Sequence, residues 1–136
     1  MIMTSQFSPL YSKKVIDLIK NPRNMGEIKN PDGVATVGNR VCGDIMRLYI
    51  RIRNKGSREY IKDIKFQTLG CAAAIASSSI LTEIAKGKSL KTAQKITNQE
   101  VVRKLGGLPE AKLHCSVLAV EALQKAIDYY KKNEKK

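Results

Sequence analysis

Apolar and polar positions change period several times along the chain, and each change marks an element boundary. After Ser12, apolar Val15, Ile16 and Ile19 recur until Asn21-Pro22 interrupts them, which predicts a short capped helix over 12–19. Residues 21–44 hold Gly26, Gly33, Gly38 and Gly43 together with Pro22 and Pro31. That density of turn formers predicts a loop with one edge strand over 34–37. From residue 46 the period becomes two. Met46, Leu48, Ile50 and Ile52 alternate with Arg47, Tyr49, Arg51 and Arg53, as in a strand with one buried face. Asn54-Lys55-Gly56 supplies a turn, and residues 61–68 read as an antiparallel partner with Ile64 and Phe66 on one face.

Helical patterns fill the second half. Residues 72–86, rich in Ala, Ser, Ile and Leu, predict a buried helix ended by Gly87. Ser89 and Asn98 read as N-caps for helices over 90–96 and 99–105, and Gly106-Gly107-Leu108-Pro109 breaks the series. From Ser116 onward Ala119, Ala122, Leu123, Ala126, Ile127 and Tyr130 recur at helical spacing, predicting a long amphipathic helix. Residues 1–10 and the lysine-rich tail 131–136 are expected to be flexible. The order predicts an α+β fold, with about five helices and an antiparallel sheet in a single domain over 1–136.

Composition adds limits. The 136 residues are 43% hydrophobic, sufficient for one core without disulfides or a structural metal. No run approaches the roughly 20 apolar residues needed to span a bilayer, and the N-terminus lacks the features of a secretion signal, so a soluble, cytoplasmic protein is expected. Three cysteines cannot all pair within one chain, and cytosolic thiols stay reduced, which favours thiolate or metal chemistry over a disulfide framework. The net charge of +13 raises the question of nucleic acid. Aromatics are only 5% of the chain and no stacking platform is visible, so an acidic protein partner or a solvated face is the preferred explanation.

Cys42, Cys71 and Cys115 each fall at a predicted element boundary, where a scaffold can aim side chains from distant segments at one point. Their separations of 29 and 44 residues match neither a zinc-finger pair nor a ferredoxin cluster run, and buried cysteines acting as small hydrophobes are an equal alternative on spacing alone. Two neighbours favour a metal site. Asp44 follows Cys42 across Gly43, and the single histidine, His114, directly precedes Cys115. Thiolate, imidazole and carboxylate together make a donor set for zinc or iron.

Five strings then carry a resemblance. Tyr11-Ser12-Lys13-Lys14-Val15-Ile16-Asp17, Asn21-Pro22-Arg23-Asn24-Met25-Gly26, Cys42-Gly43-Asp44, Gly70-Cys71-Ala72-Ala73-Ala74-Ile75-Ala76-Ser77-Ser78-Ser79 and Lys112-Leu113-His114-Cys115-Ser116 occur in this order. Together they resemble the U-type iron-sulfur cluster assembly scaffolds, IscU-like and similar to the N-terminal domain of NifU. The resemblance implies a three-stranded sheet and a site of Cys42, Asp44, Cys71, His114 and Cys115. It implies a scaffold or carrier rather than an enzyme. A cysteine desulfurase would pass sulfur as a persulfide to Cys115, with Lys112 in support, and a ferredoxin-type donor would supply electrons. A 2Fe-2S cluster would form from iron and sulfur and pass to apo-protein acceptors, with zinc able to occupy the resting site. Whether one chain holds the cluster or a homodimer shares it stays open.

The soft thiolates suit iron and sulfide, whereas the hard Asp44 oxygen should hold a cluster less firmly than a fourth thiolate. Lys112 and the nearby helix start are both expected to lower the Cys115 pKa. The chain reads Leu108-Pro109-Glu110-Ala111-Lys112 where chaperone-served relatives carry Leu-Pro-Pro-Val-Lys, a departure that leaves use of that chaperone open. The sulfur-transfer branch without the histidine is disfavoured by His114 and by the compact spacing. Gly87-Lys88-Ser89 is no phosphate loop, since Thr82 stands where glycine is required. A thiol hydrolase is set aside on the expectation that the adjacent His114 and Cys115 side chains diverge. A structural zinc domain on the same ligands remains the alternative.

Overall fold

The computed structural model describes residues 11–38 and 43–134. Helix α1 (Lys13–Lys20) is followed by strands β1 (Gly33–Gly38), β2 (Ile45–Lys55) and β3 (Arg58–Leu69). Helices α2 (Ala72–Ala85), α3 (Leu90–Ala93) and α4 (Asn98–Lys104) come next, then a single 3-10 turn (Glu110–Lys112) and the long α5 (Leu113–Glu134). The predicted α+β class, three-stranded antiparallel sheet and five α-helices are all present among the described residues. Residues 131–134 of the expected flexible tail belong to α5, while 1–10 and 135–136 lie outside the described residues.

The strands form one antiparallel sheet in the order β1-β2-β3. Met46, Leu48, Ile50 and Ile52 are buried as their alternation requires. On β3 both Ile61 and Ile64 are fully buried although they stand three positions apart. The register shift between Arg51 and Ile52 explains this: Arg51 faces Asp63 whereas Ile52 faces Ile61, leaving Lys62 as the extra residue of a bulge. Strict alternation would have turned Ile61 outward. The hairpin closes through Gly56-Ser57, with Gly56 at φ +66°, the backbone a tight hairpin turn demands.

Helix α5 packs across β1 and β2, and α2 packs against β3, α1 and α5. Approach at β1 is close enough that a Cβ on Gly33 would lie 2.3 Å from the Ala126 carbonyl oxygen. The segment Asn24–Gly26 lies along β3, with Gly26 N–H donating to the Phe66 carbonyl at 2.8 Å and Phe66 N–H to that of Asn24 at 3.0 Å. It thereby shields an edge that would otherwise pair with another chain. Asn24 Nδ2 also donates to Thr82 Oγ1 at 3.0 Å, tying this loop to α2.

Several boundaries differ from expectation. The N-cap of α4 is Thr97, whose Oγ1 accepts from Glu100 N–H at 3.2 Å, because Thr97 holds the extended backbone and Asn98 is already helical. Helix α3 spans four residues rather than seven, though Ser89 caps it as predicted. Helix α5 begins at Leu113, so Cys115 lies inside its first turn. Among the described residues no helix is long and apolar enough to cross a membrane.

Candidate metal centre

Three chain ends meet at one corner of the sheet. Asp44 immediately precedes β2, Cys71 joins β3 to α2, and Cys115 sits in the first turn of α5. Cys71 occupies the N-cap of α2 yet makes no side-chain capping bond. Its carbonyl accepts from Ala74 and Ile75 N–H at 3.0 and 3.2 Å, and its sulfur points to the other donors. The Cys71 and Cys115 sulfurs are 3.6 Å apart. Both thiols approach the same carboxylate oxygen, Asp44 Oδ2, at 3.8 and 3.7 Å. The three donor atoms lie within 4.8 Å of one another, a spacing that one metal ion or a small cluster can bridge.

His114 lies beside this group, with Nε2 3.6 Å from Cys115 Sγ and 3.8 Å from Asp44 Oδ2. Divergence of adjacent side chains was the expectation, and the structure corrects it. Helical Cα–Cβ bonds tilt toward the helix N-terminus, so in the first turn of α5 both side chains lean to the same end, and the longer imidazole reaches back to the thiol. Asp44 is also not a surface loop residue. It is 4% exposed, and the backbone beside it is closely fitted: a Cβ on Gly70 would lie 3.0 Å from Asp44 Oδ1 and 3.1 Å from Ala74 Cβ. Cys42 lies outside the described residues.

Electrostatics at Cys115 run against the sequence expectation. Burial pushes its thiol far above the ordinary value of 9.0, and the hydrogen bond and charge of Cys71 and the charge of Asp44 add to this. Lys112 acts in the expected direction, lowering it, but is outweighed. The reason is packing. Cys115 is fully buried with Ala73 and Ala74 in a small apolar cluster, with Cys71 against it and with Tyr11 and Leu108 joining it to the main core. Tyr11 was read only as part of a motif. Its hydroxyl is shifted upward by burial, with Lys112 opposing and the two cysteines reinforcing, so it belongs to the surroundings of the site. Gly70 was likewise visible in the sequence, but nothing there signals its contact with Asp44.

The fold and this corner have known counterparts. The NifU-like N-terminal domain family matches residues 10–136. The iron-sulfur cluster assembly scaffold protein IscU 1 of Archaeoglobus fulgidus is 57% identical over 127 residues, covering 93% of this chain and 80% of that protein. The IscU scaffold proteins of Rickettsia prowazekii and Escherichia coli are 50% and 48% identical over 130 residues, each covering 93% of this chain and 96% and 98% of their own. Among solved structures, a NifU-like N-terminal protein from Brucella abortus superposes with a TM-score of 0.66 at 20% identity, over 90% of this chain and 95% of that one; this likeness bears on the fold. Matched along nearly its whole length, at around half identity or better to these scaffolds, the chain belongs to the family of NifU-like N-terminal domains.

Proposed function

We propose that this protein is a scaffold on which an iron-sulfur cluster is built and from which it is handed to apo-proteins. The observation that supports this reading best is the convergence of Asp44, Cys71, His114 and Cys115 from three separate chain segments, in a chain 57% identical to an iron-sulfur cluster assembly scaffold. Cys42, two residues before Asp44, is the further thiolate in this reading. Soft sulfur donors match iron and sulfide, and one hard carboxylate leaves a weaker position open to exchange. The N-termini of α2 and α5 face the site, favouring the negative charge of a thiolate-held 2Fe-2S cluster.

In this proposal a cysteine desulfurase brings a persulfide to Cys115. The Cys115 thiolate attacks the outer sulfur, the desulfurase thiolate leaves, and the persulfide now resides on Cys115. Two electrons from a ferredoxin-type donor system and a proton from water then cleave the deprotonated persulfide to thiolate and hydrosulfide, which bridges iron. The buried Cys115 thiol must first lose its proton, and two acceptors lie beside it: Asp44 Oδ2 at 3.7 Å and His114 Nε2 at 3.6 Å. Lys112, at the end of the 3-10 turn, acts in support by favouring the thiolate. Apo-protein acceptors take the finished cluster, and the cytoplasm is the proposed location.

Permanent structural zinc on the same ligands is the competing reading. Against it stands a core of 26 buried residues, Val15 to Ile127, that packs without either thiol. A domain of this size that closes its core without the site's donors needs no metal to fold. Iron, zinc and acid-labile sulfide are to be measured in protein purified without oxygen. Iron and sulfide in equal amounts support the scaffold, whereas zinc without sulfide that survives iron and sulfide challenge supports the structural site.

A further inference from the structure

At the hairpin end of the sheet, the β2–β3 turn, α3 and the end of α5 enclose a cavity of about 510 Å³, a volume typical of small-molecule sites. Strand β2 starts beside Asp44 and runs 11 residues toward it, which sets the cavity roughly 30 Å from the metal centre. Its walls are tied to one another. Ile61 N–H donates to the Lys88 carbonyl at 2.9 Å and Gly87 N–H to that of Ile61 at 2.8 Å, holding the segment before α3 against β3. The Tyr130 hydroxyl donates to a Glu59 carboxylate oxygen, holding α5 against the same strand. The hollow is therefore organised before any ligand arrives.

The lining is polar and mostly positive. Arg58 on β3, Lys91 on α3 and the half-buried Lys131 on α5 reach it from three separate segments. None of the three makes an ion pair among the described residues. The carboxylate in the lining, Glu59, is already engaged by Tyr130, so three cations stand against one anion. The negative end of α5 favours Lys131, but it gives no reason for Arg58 to stand on the facing strand. Ser57 and Gln94 add uncharged donors whose side chains make no hydrogen bond among the described residues. Leu90, 4% exposed, is the apolar part of the lining, and no aromatic ring takes part in it.

We infer that this cavity is a binding site for a small polyphosphate, the diphosphate or triphosphate group of a free anion or of a nucleotide. A polyphosphate spreads several negative charges over linked tetrahedral groups, and this matches cations held apart on three walls. The planar Arg58 guanidinium can donate two parallel N–H bonds to one phosphate, while Lys91 and Lys131 serve as point charges on the next. Ser57 and Gln94 can donate to the remaining oxygens. With no ring to stack on a base, recognition falls on the phosphates.

The test titrates pyrophosphate, tripolyphosphate, ATP and citrate into the full chain by calorimetry, at about 0.15 M salt to screen long-range attraction. Parent, Arg58→Gln and Lys131→Gln are compared with Lys20→Gln, a change at an exposed α1 lysine outside the cavity. Neither cavity cation has a bond to lose, so the variants should fold, and circular dichroism checks this. The inference expects one polyphosphate per chain, bound roughly tenfold more weakly by Arg58→Gln and by Lys131→Gln, each lacking one charge-assisted contact, and unchanged in Lys20→Gln. ATP binding no tighter than tripolyphosphate supports recognition of phosphate alone; tighter ATP binding supports a nucleotide as the source. Equal weakening in all three variants would reduce the effect to the +13 charge of the chain and overturn the inference. Binding unchanged in Arg58→Gln and Lys131→Gln would place the ligand elsewhere, as by chelation at the metal centre, with the same consequence. Citrate bound as tightly as pyrophosphate, or no polyphosphate binding by the parent, would also overturn it.

Discussion

Cys115 shows how one residue can meet opposed demands. Its burial favours the neutral thiol, while its proposed work requires the thiolate. Because the folded value lies above the unfolded one, its stabilising contribution is complete below pH 9 and is lost as pH rises beyond that, where the unfolded chain ionises first. Urea midpoints should therefore fall between pH 8 and 10 in the parent and fall less in Cys115→Ala. Iodoacetamide should modify the half-buried Cys71 before the buried Cys115 at pH 8 in metal-free protein, as peptide mass spectrometry would show; faster labelling of Cys115 would refute the burial argument. Gly70 gives a second prediction at this scale. Gly70→Ala places a methyl 3.0 Å from Asp44 Oδ1, so iron affinity should drop by about 10- to 100-fold with little change in the far-ultraviolet spectrum. Unchanged affinity would mean that the Asp44 carboxylate is free to move.

Elements explain why most of the fold could be read from the sequence and parts of it could not. The alternation from Met46 to Ile52 and the caps at Ser12 and Ser89 are local signals, and the structure follows them. The bulge at Lys62 depends on strand pairing, and the early start of α5 depends on the 3-10 turn that feeds it, so neither has a local signature. Thr97 rather than Asn98 caps α4 because backbone conformation, shared by neighbouring cap formers in sequence terms, decides between them. Two substitutions test the packing. Ser12→Ala removes the cap to Val15 N–H and a bond to the Leu105 carbonyl, and should cost about 1–2 kcal/mol. Gly33→Ala drives a methyl into the α5 backbone at Ala126 and should cost about 3 kcal/mol or more. Thermal melts would read both, and a Gly33→Ala protein as stable as the parent would contradict the closeness of β1 to α5.

At the scale of the whole molecule, the site exists because three chain segments far apart in sequence end at one corner of the sheet. The cysteine and histidine types were legible in the sequence, and the family resemblance grouped them. The geometry was not legible. Spacings of 29 and 44 residues say nothing about a 3.6 Å contact between sulfurs, and the burial that overrides Lys112 comes from Ala73 and Ala74 of another helix. A main core that packs without either thiol carries the distinction between cargo and structural metal. Replacing Cys71 or Cys115 by Ser should therefore abolish cluster binding while far-ultraviolet circular dichroism stays native; loss of helix together with the cluster would point to structural metal.

Anaerobic reconstitution with iron and sulfide, followed by addition of an apo-ferredoxin and visible circular dichroism in time, tests assembly and release together. The account expects cluster signals on the parent that pass to the acceptor, and slower passage from Asp44→Ala, whose exchangeable oxygen is gone. A parent that takes up only zinc, or that forms a cluster it never releases to the acceptor, would contradict it.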